Sequence, residues 1–151
     1  MFSISDDSFL VHLHKKRLQT FLSQDCENGF FDISFDIDGN ILHAHKFVIA
    51  SISETFKELF RKQSSSSFNA DQIPIDNCSF KDFRAFVLFA YTGEWTLMTN
   101  ERILKMLQIA FVYQSEEFHQ KCDIYLSKIT FTVESFYHFY DSLADCIIIG
   151  F

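Results

Sequence analysis

With 151 residues, 48% hydrophobic and 22% charged, the chain is sized for one domain and too apolar to be disordered. Twenty Phe, five Tyr and one Trp mark an aromatic core, while four Gly and one Pro are too few for a many-turned all-β sandwich. The formal charge is −7 and the one cationic run is Lys15-Lys16-Arg17, so the cationic face that nucleic-acid binding uses is missing.

The opening residues, Met1 to Asp7, are acidic and carry no apolar signal-peptide core. The longest apolar run, Ala85 to Tyr91, falls well short of the roughly 20 residues of a membrane span. Cys26, Cys78, Cys122 and Cys146 are widely spaced and never form a Cys-x-x-Cys pair. The expectation is an intracellular protein of the cytoplasm or nucleus, with reduced core thiols and no membrane contact.

In chain order, Phe9, Leu10, Leu13, Leu18, Phe21 and Leu22 recur at helical spacing and predict a helix over Asp6 to Ser23, ended by Glu27-Asn28-Gly29. Phe31, Ile33, Phe35 and Ile37 alternate with Asp32, Ser34, Asp36 and Asp38, the period of two of a half-buried strand. Asp38-Gly39-Asn40 turns the chain into a second strand, Ile41-Leu42-His43. Ala44 to Ala50 predicts a short helix, and Ser51 with Glu54 spells a capping box for the next, which carries Phe56, Leu59 and Phe60.

Gln63 to Ser67 predicts a mobile loop, and Ile73-Pro74-Ile75 a short edge strand, because proline cannot donate within a central one. Ser79 predicts the cap of a helix with Phe80, Phe83, Val87 and Tyr91 on one face, closed by Gly93. Trp95-Thr96-Leu97 leads to Thr99 or Asn100, which caps a helix with Ile103, Leu107 and Ala110. Ser115 caps another with Phe118, Cys122 and Ile129; Thr132 caps a last one with Phe136, Phe139, Tyr140 and Leu143. One hairpin, one edge strand and many helices predict an α+β domain dominated by helix.

Catalytic and metal chemistry find little to stand on. His12-x-His14 and His43-x-His45 lack the third ligand that zinc needs. The run Ser34-x-Asp36-x-Asp38-Gly39 resembles a calcium loop, but it begins on Ser and would end on His45 instead of Glu. No nucleophile elbow and no glycine-rich phosphate loop occurs. The expectation is no enzyme activity, no cofactor and no metal.

Two blocks resemble the BTB/POZ domain. The first runs from Phe31 to Phe56, with Asp32 leading a strand, the Gly39 turn, Ala44-His45-Lys46, an apolar stretch and Ser53-x-x-Phe56. The second is Phe83 to Gly93, closing in Tyr91-Thr92-Gly93. Downstream, Ala110 to Tyr113 and Phe118 to Cys122 are similar to the family's next helical pair. The resemblance implies a BTB/POZ fold over residues 6–128, a small mixed sheet flanked by helical hairpins, with 129–151 starting a C-terminal helical extension.

It also implies a homodimer, built here on the Asp6–Ser23 helix and the Ala44–Ala50 segment, that recruits other proteins. One reading is an adaptor for a cullin-RING E3 ubiquitin ligase, gripping a cullin-3 scaffold and an unknown substrate protein for ubiquitination. The alternative is an oligomerisation module of a transcriptional or cytoskeletal regulator without cullin binding. Asp32 and Lys46 match a charged pair in the family's dimer pocket, or equally a structural ion pair that orients the hairpin. Phe56, Leu59, Phe60 and Tyr113 match the apolar cullin contact. Ser64-Ser65-Ser66 stands where strong cullin binders carry a hydrophobic-x-Glu, which implies a weaker contact.

Overall fold

A computed structural model describes residues 7–65, 72–95, 99–130 and 132–149. Of the positions read above, Met1 to Asp6, Ser66, Ser67, Thr96, Leu97 and the side chains of Asp7, Ser65, Phe139, Leu143 and Cys146 lie outside the described part. Helix α1 (Asp7–Ser23) docks through Leu18 and the fully buried Phe21, whose ring stacks on Tyr91 at 4.4 Å. It stops at Gln24, which takes a left-handed φ of 49°. Asp25 Oδ1 then accepts the N–H groups of Glu27 at 3.0 Å and Asn28 at 3.4 Å. The Asn28 side-chain amide, then those two backbone donors, hold the Asp25 carboxyl below its ordinary value.

Strands β1 (Ile33–Ile37) and β2 (Asn40–Ala44) pair antiparallel, with Ile37 opposite Asn40. The two-residue link Asp38-Gly39 has φ of 52° and 80°, the doubly left-handed turn that matches the natural twist of a hairpin. Along β1 the alternation buries Ile33, Phe35 and Ile37 and leaves Ser34 and Asp36 half-buried, as the sequence predicts. β3 (Gln72–Pro74) lies parallel to β1 at the sheet edge, giving the order β2-β1-β3.

Two local readings change. Helix α2 (Lys46–Ile52) and helix α3 (Glu54–Ser65) are separated by Ser53, and Ser53, not Ser51, caps α3. Its Oγ accepts the Phe56 N–H at 3.2 Å and donates to the Tyr113 carbonyl at 2.5 Å, while Ser51 Oγ donates back to the Val48 carbonyl. The long-range bond to Tyr113 selects Ser53, and no local pattern could disclose it. Gln63 to Ser65, read as loop, continue α3, with Ser64 Oγ bonded to the Phe60 carbonyl at 3.0 Å.

The remaining cap positions match, all but Ser115 with a side-chain bond to the helix. Ser79 opens helix α4 (Phe80–Thr92), accepting from Asp82 N–H, and Gly93 at φ 69° closes it on the Phe89 carbonyl. Thr99 opens helix α5 (Asn100–Val112). Ser115 stands at the N-terminus of helix α6 (Glu116–Ser127) without a side-chain bond to it, and Ile129 falls beyond that helix. Thr132 precedes helix α7 (Val133–Ile149) and accepts the Ser135 N–H at 3.2 Å. Buried Asp82 bonds Arg102 at 3.1 Å, tying the starts of α4 and α5. Around Phe83 the rings of Phe35, Phe56, Phe86 and Tyr113 meet at 4.9–6.2 Å, the centre of the core.

Candidate functional site

Packing leaves several large apolar side chains bare. The C-terminal half of α1 is held by Leu18 and Phe21, but Phe9, Leu10, Val11 and Leu13 of its N-terminal half are exposed. Phe30 is 85% exposed and Phe47 on α2 84% exposed. A large aromatic is rarely left this bare, so paired apolar exposure on neighbouring elements marks an interaction surface. Phe30 also holds a φ of 53°, an uncommon conformation for a bulky residue. Between α1 and α2 runs a groove of about 530 Å³, lined by His14, Arg17, Phe30, His45, Phe47 and Tyr91 among others.

The floor of the groove is a relay. His45 Nε2 faces the Gly29 carbonyl at 2.7 Å, and a carbonyl only accepts, so Nε2 carries the proton. Nδ1 is then the acceptor for the Tyr91 hydroxyl at 2.6 Å, whose oxygen accepts the His45 backbone N–H at 3.0 Å. Burial pushes the Tyr91 phenol up to about 12, against the lowering effect of that backbone bond, so it stays a donor. The relay pins the loop after α1, and with it Phe30, to the start of α2. Both His45 ring nitrogens are thus engaged, and His43 Nδ1 lies 2.7 Å from Ser34 Oγ. Among the described residues no three His, Cys, Asp or Glu converge as a metal site, and no helix is long and apolar enough to cross a membrane.

Asp32 and Lys46 do meet, but the carboxylate reaches the Lys46 backbone and not its ammonium. Asp32 is exposed, and its Oδ1 accepts the backbone N–H of Lys46 at 2.7 Å. The carboxylate therefore caps the first turn of α2, where His45 offers no side-chain cap of its own. The Lys46 ammonium lies instead over the Phe60 ring, 5.7 Å from its centroid.

The four expected cullin residues are brought together, but largely inside. Phe56 is 2%, Phe60 7% and Tyr113 6% exposed, and Leu59 is half-buried. Phe56 stacks on Tyr113 at 4.7 Å, and the Tyr113 hydroxyl donates to Asn77 Oδ1 at 2.8 Å. Aromatic spacing on α3 therefore serves the core, which corrects the reading of these three rings as a contact surface. Sequence reasoning missed the exposed aromatics: Phe30, Phe47 and, at the end of α5, Phe111. Each has another apolar residue beside it in the chain (Phe31, Val48, Ala110), so hydropathy alone could not separate them.

The comparisons agree with this architecture. A family model for the BTB/POZ domain matches residues 21–130. Kelch repeat and BTB domain-containing protein 3 from Mus musculus is 28% identical over 111 residues, 74% of this chain and 18% of that protein. Kelch-like protein 21 from Danio rerio is 26% identical over 102 residues, covering 68% and 16%. GDNF-inducible zinc finger protein 1 from Mus musculus is 26% identical over 95 residues, covering 60% and 13%. The chain thus spans less than a fifth of these relatives' length. The BTB domain of zebrafish PATZ1 superposes with a TM-score of 0.64 at 20% identity, covering 85% of this chain and all of that one, and shares the fold. With the hairpin, the capped helical pairs and the matched segment in agreement, this chain belongs to the BTB/POZ domain family, a family of protein-interaction modules.

Proposed function

We propose that the chain homodimerises through the face formed by α1, the loop carrying Phe30, and α2, and that the dimer works as an adaptor for a cullin-RING ubiquitin ligase. The observation that carries the first part is the exposure of Phe30 and Phe47 in one groove against α1, a helix whose Phe9, Leu10, Val11 and Leu13 are exposed as well. A second copy covers such a face at an obligate-type interface, of about 2,000 Å² or more. Asp32 and Lys46 meet at the start of α2, the helix that carries Phe47, and are assigned to the proposed dimer pocket. Recruitment is a binding activity, and no catalytic step is assigned to any residue. The domain is read as residues 6–128 and the extension as 129–151; the matched segment's end at 130 and the start of α7 at Val133 support that division.

The adaptor part is supported by the kelch-type relatives and by a second exposed patch. Phe111 and Val112 are exposed at the end of α5, and Thr55 of α3 donates to the Val112 carbonyl at 3.3 Å. The cullin contact is therefore placed on Phe111, Val112 and Leu59, with Phe56, Phe60 and Tyr113 holding that surface from beneath. The zinc-finger relative, matched at nearly the same identity, favours the alternative of an oligomerisation module in a transcriptional regulator.

Two measurements test the reading. Light scattering is expected to give twice the 17.7 kDa chain mass, falling to one chain mass in Phe47→Asp. A monomeric wild type ends the dimer proposal. Titration against a cullin-3 N-terminal fragment is expected to show binding that Phe111→Ala weakens about tenfold or more, as anchors at interfaces do. A dimer with no cullin binding at tens of micromolar favours the oligomerisation module.

A further inference from the structure

Helix α7 packs on α5 and yet keeps a second apolar face. Val133, Phe136, Tyr137 and Tyr140 are each more than half exposed. They fall at i, i+3, i+4 and i+7, the spacing of one helix-packing stripe. Their rings are organised: Phe136 stacks with Tyr140 at 6.5 Å and meets Tyr137 edge-on at 6.4 Å. Glu134 and Asp141 are exposed, and each follows a stripe residue by one position, so both lie along the same border of the stripe. The helix contains no lysine or arginine. Stripe and border together define both the shape and the charge of an occupant.

We propose that the outer face of α7 docks an amphipathic helix with an apolar stripe and a lysine- or arginine-rich flank, supplied by a partner protein. Charge complementarity selects this occupant. Antiparallel pairing with α7 of a second copy would set the same acidic border against itself, a like-charge juxtaposition that opposes association. The aromatic rings are well suited to the role, because Phe and Tyr bring large contact areas with few rotatable bonds, and rings also attract cations. The site shares no residue with the face of α1 and α2, so it goes beyond the dimer reading and does not rest on it.

The test uses the 151-residue chain and two synthetic helical peptides of about 20 residues, built on the same leucine stripe, one flanked by lysine and one by glutamate. Calorimetry at low salt is expected to show the lysine peptide binding about tenfold or more tighter than the glutamate peptide. Tyr137→Ser with Tyr140→Ser is expected to remove that binding, while Glu134→Lys with Asp141→Lys is expected to reverse the preference. All these positions are exposed, and a melting curve checks that each variant folds. Failure of both peptides to bind, or binding that survives the tyrosine changes, overturns the proposal. So does a preference that charge reversal leaves untouched. A wild-type particle larger than a dimer that shrinks in Tyr140→Ser overturns it too, by making a second copy the occupant. Failure of the dimer reading shows separately, because Phe47→Asp changes chain mass and leaves α7 intact.

Discussion

Gln24 pairs with His43 as a strand would: its Oε1 accepts the His43 N–H at 2.8 Å and its Nε2 donates to the His43 carbonyl at 3.0 Å. One side-chain amide thus closes the outer edge of β2, the kind of open ladder that invites unwanted pairing. Gln24→Ala is expected to destabilise the chain by about 1–3 kcal/mol in urea unfolding, because two backbone groups lose partners. Gln24→Glu keeps an acceptor for the N–H but cannot donate to the carbonyl, so its loss is expected to be partial at neutral pH. Equal stability of wild type and Gln24→Ala would show that water replaces the amide without cost.

Asp32→Ala removes an acceptor at the start of α2 and is expected to cost about 0.5–2 kcal/mol. Lys46→Gln leaves the backbone N–H in place and is expected to cost less than about 1 kcal/mol. In the double variant the two effects are expected to add, because the carboxylate touches the backbone and the ammonium touches Phe60. A strong rescue in the double variant, measured under conditions that keep the chain monomeric, would restore the ion-pair reading.

Gly29→Ala tests the loop beneath Phe30. A Cβ there would run into the Phe31 ring and lie 2.5 Å from the Asp25 carbonyl oxygen, so backbone must move. The Gly29 carbonyl would then shift from His45 Nε2, now 2.7 Å away. The expected loss is about 1–3 kcal/mol of stability, with weakened self-association, since the loop presents Phe30. Unchanged melting and unchanged mass in light scattering would contradict the relay's role.

Burial pushes the thiols of Cys78 and Cys122 from 9 up to about 12, and the Tyr91 phenol from 10 up to about 12. A raised folded value means that the folded state keeps its proton when the unfolded chain has lost it. The associated stability is complete below about pH 9 and lost as pH climbs toward 12, so the chain is expected to unfold progressively more easily across that window. Denaturant midpoints measured from pH 8 to 11 check this, and a flat profile would refute it. At pH 8 the exposed Cys26 is expected to alkylate much faster than Cys78 or Cys122, since thiolate and access are both required.

The helices, the hairpin and the edge strand were legible because their signals are local. Alternating apolar residues in β1, Gly39 in the turn, Ser79, Thr99 and Gly93 at helix ends all act over a few residues, where backbone geometry and capping decide. Ser53 as the α3 cap was not legible, since Tyr113 selects it from 60 positions away. Nor was the fate of Phe56, Phe60 and Tyr113, because an apolar stripe on a helix reads the same whether it faces the core or a partner.

What the sequence determined alone is the family, the α+β class, and the order of elements, through motif spacing and periodicity that survive without any tertiary contact. The tertiary structure alone decided which aromatics are spent. Phe56 and Tyr113 stack inside, whereas Phe30, Phe47, Phe111 and the α7 stripe remain outside. The physical reason is that hydrophobicity is a property of a side chain, while burial is a property of the surface set against it.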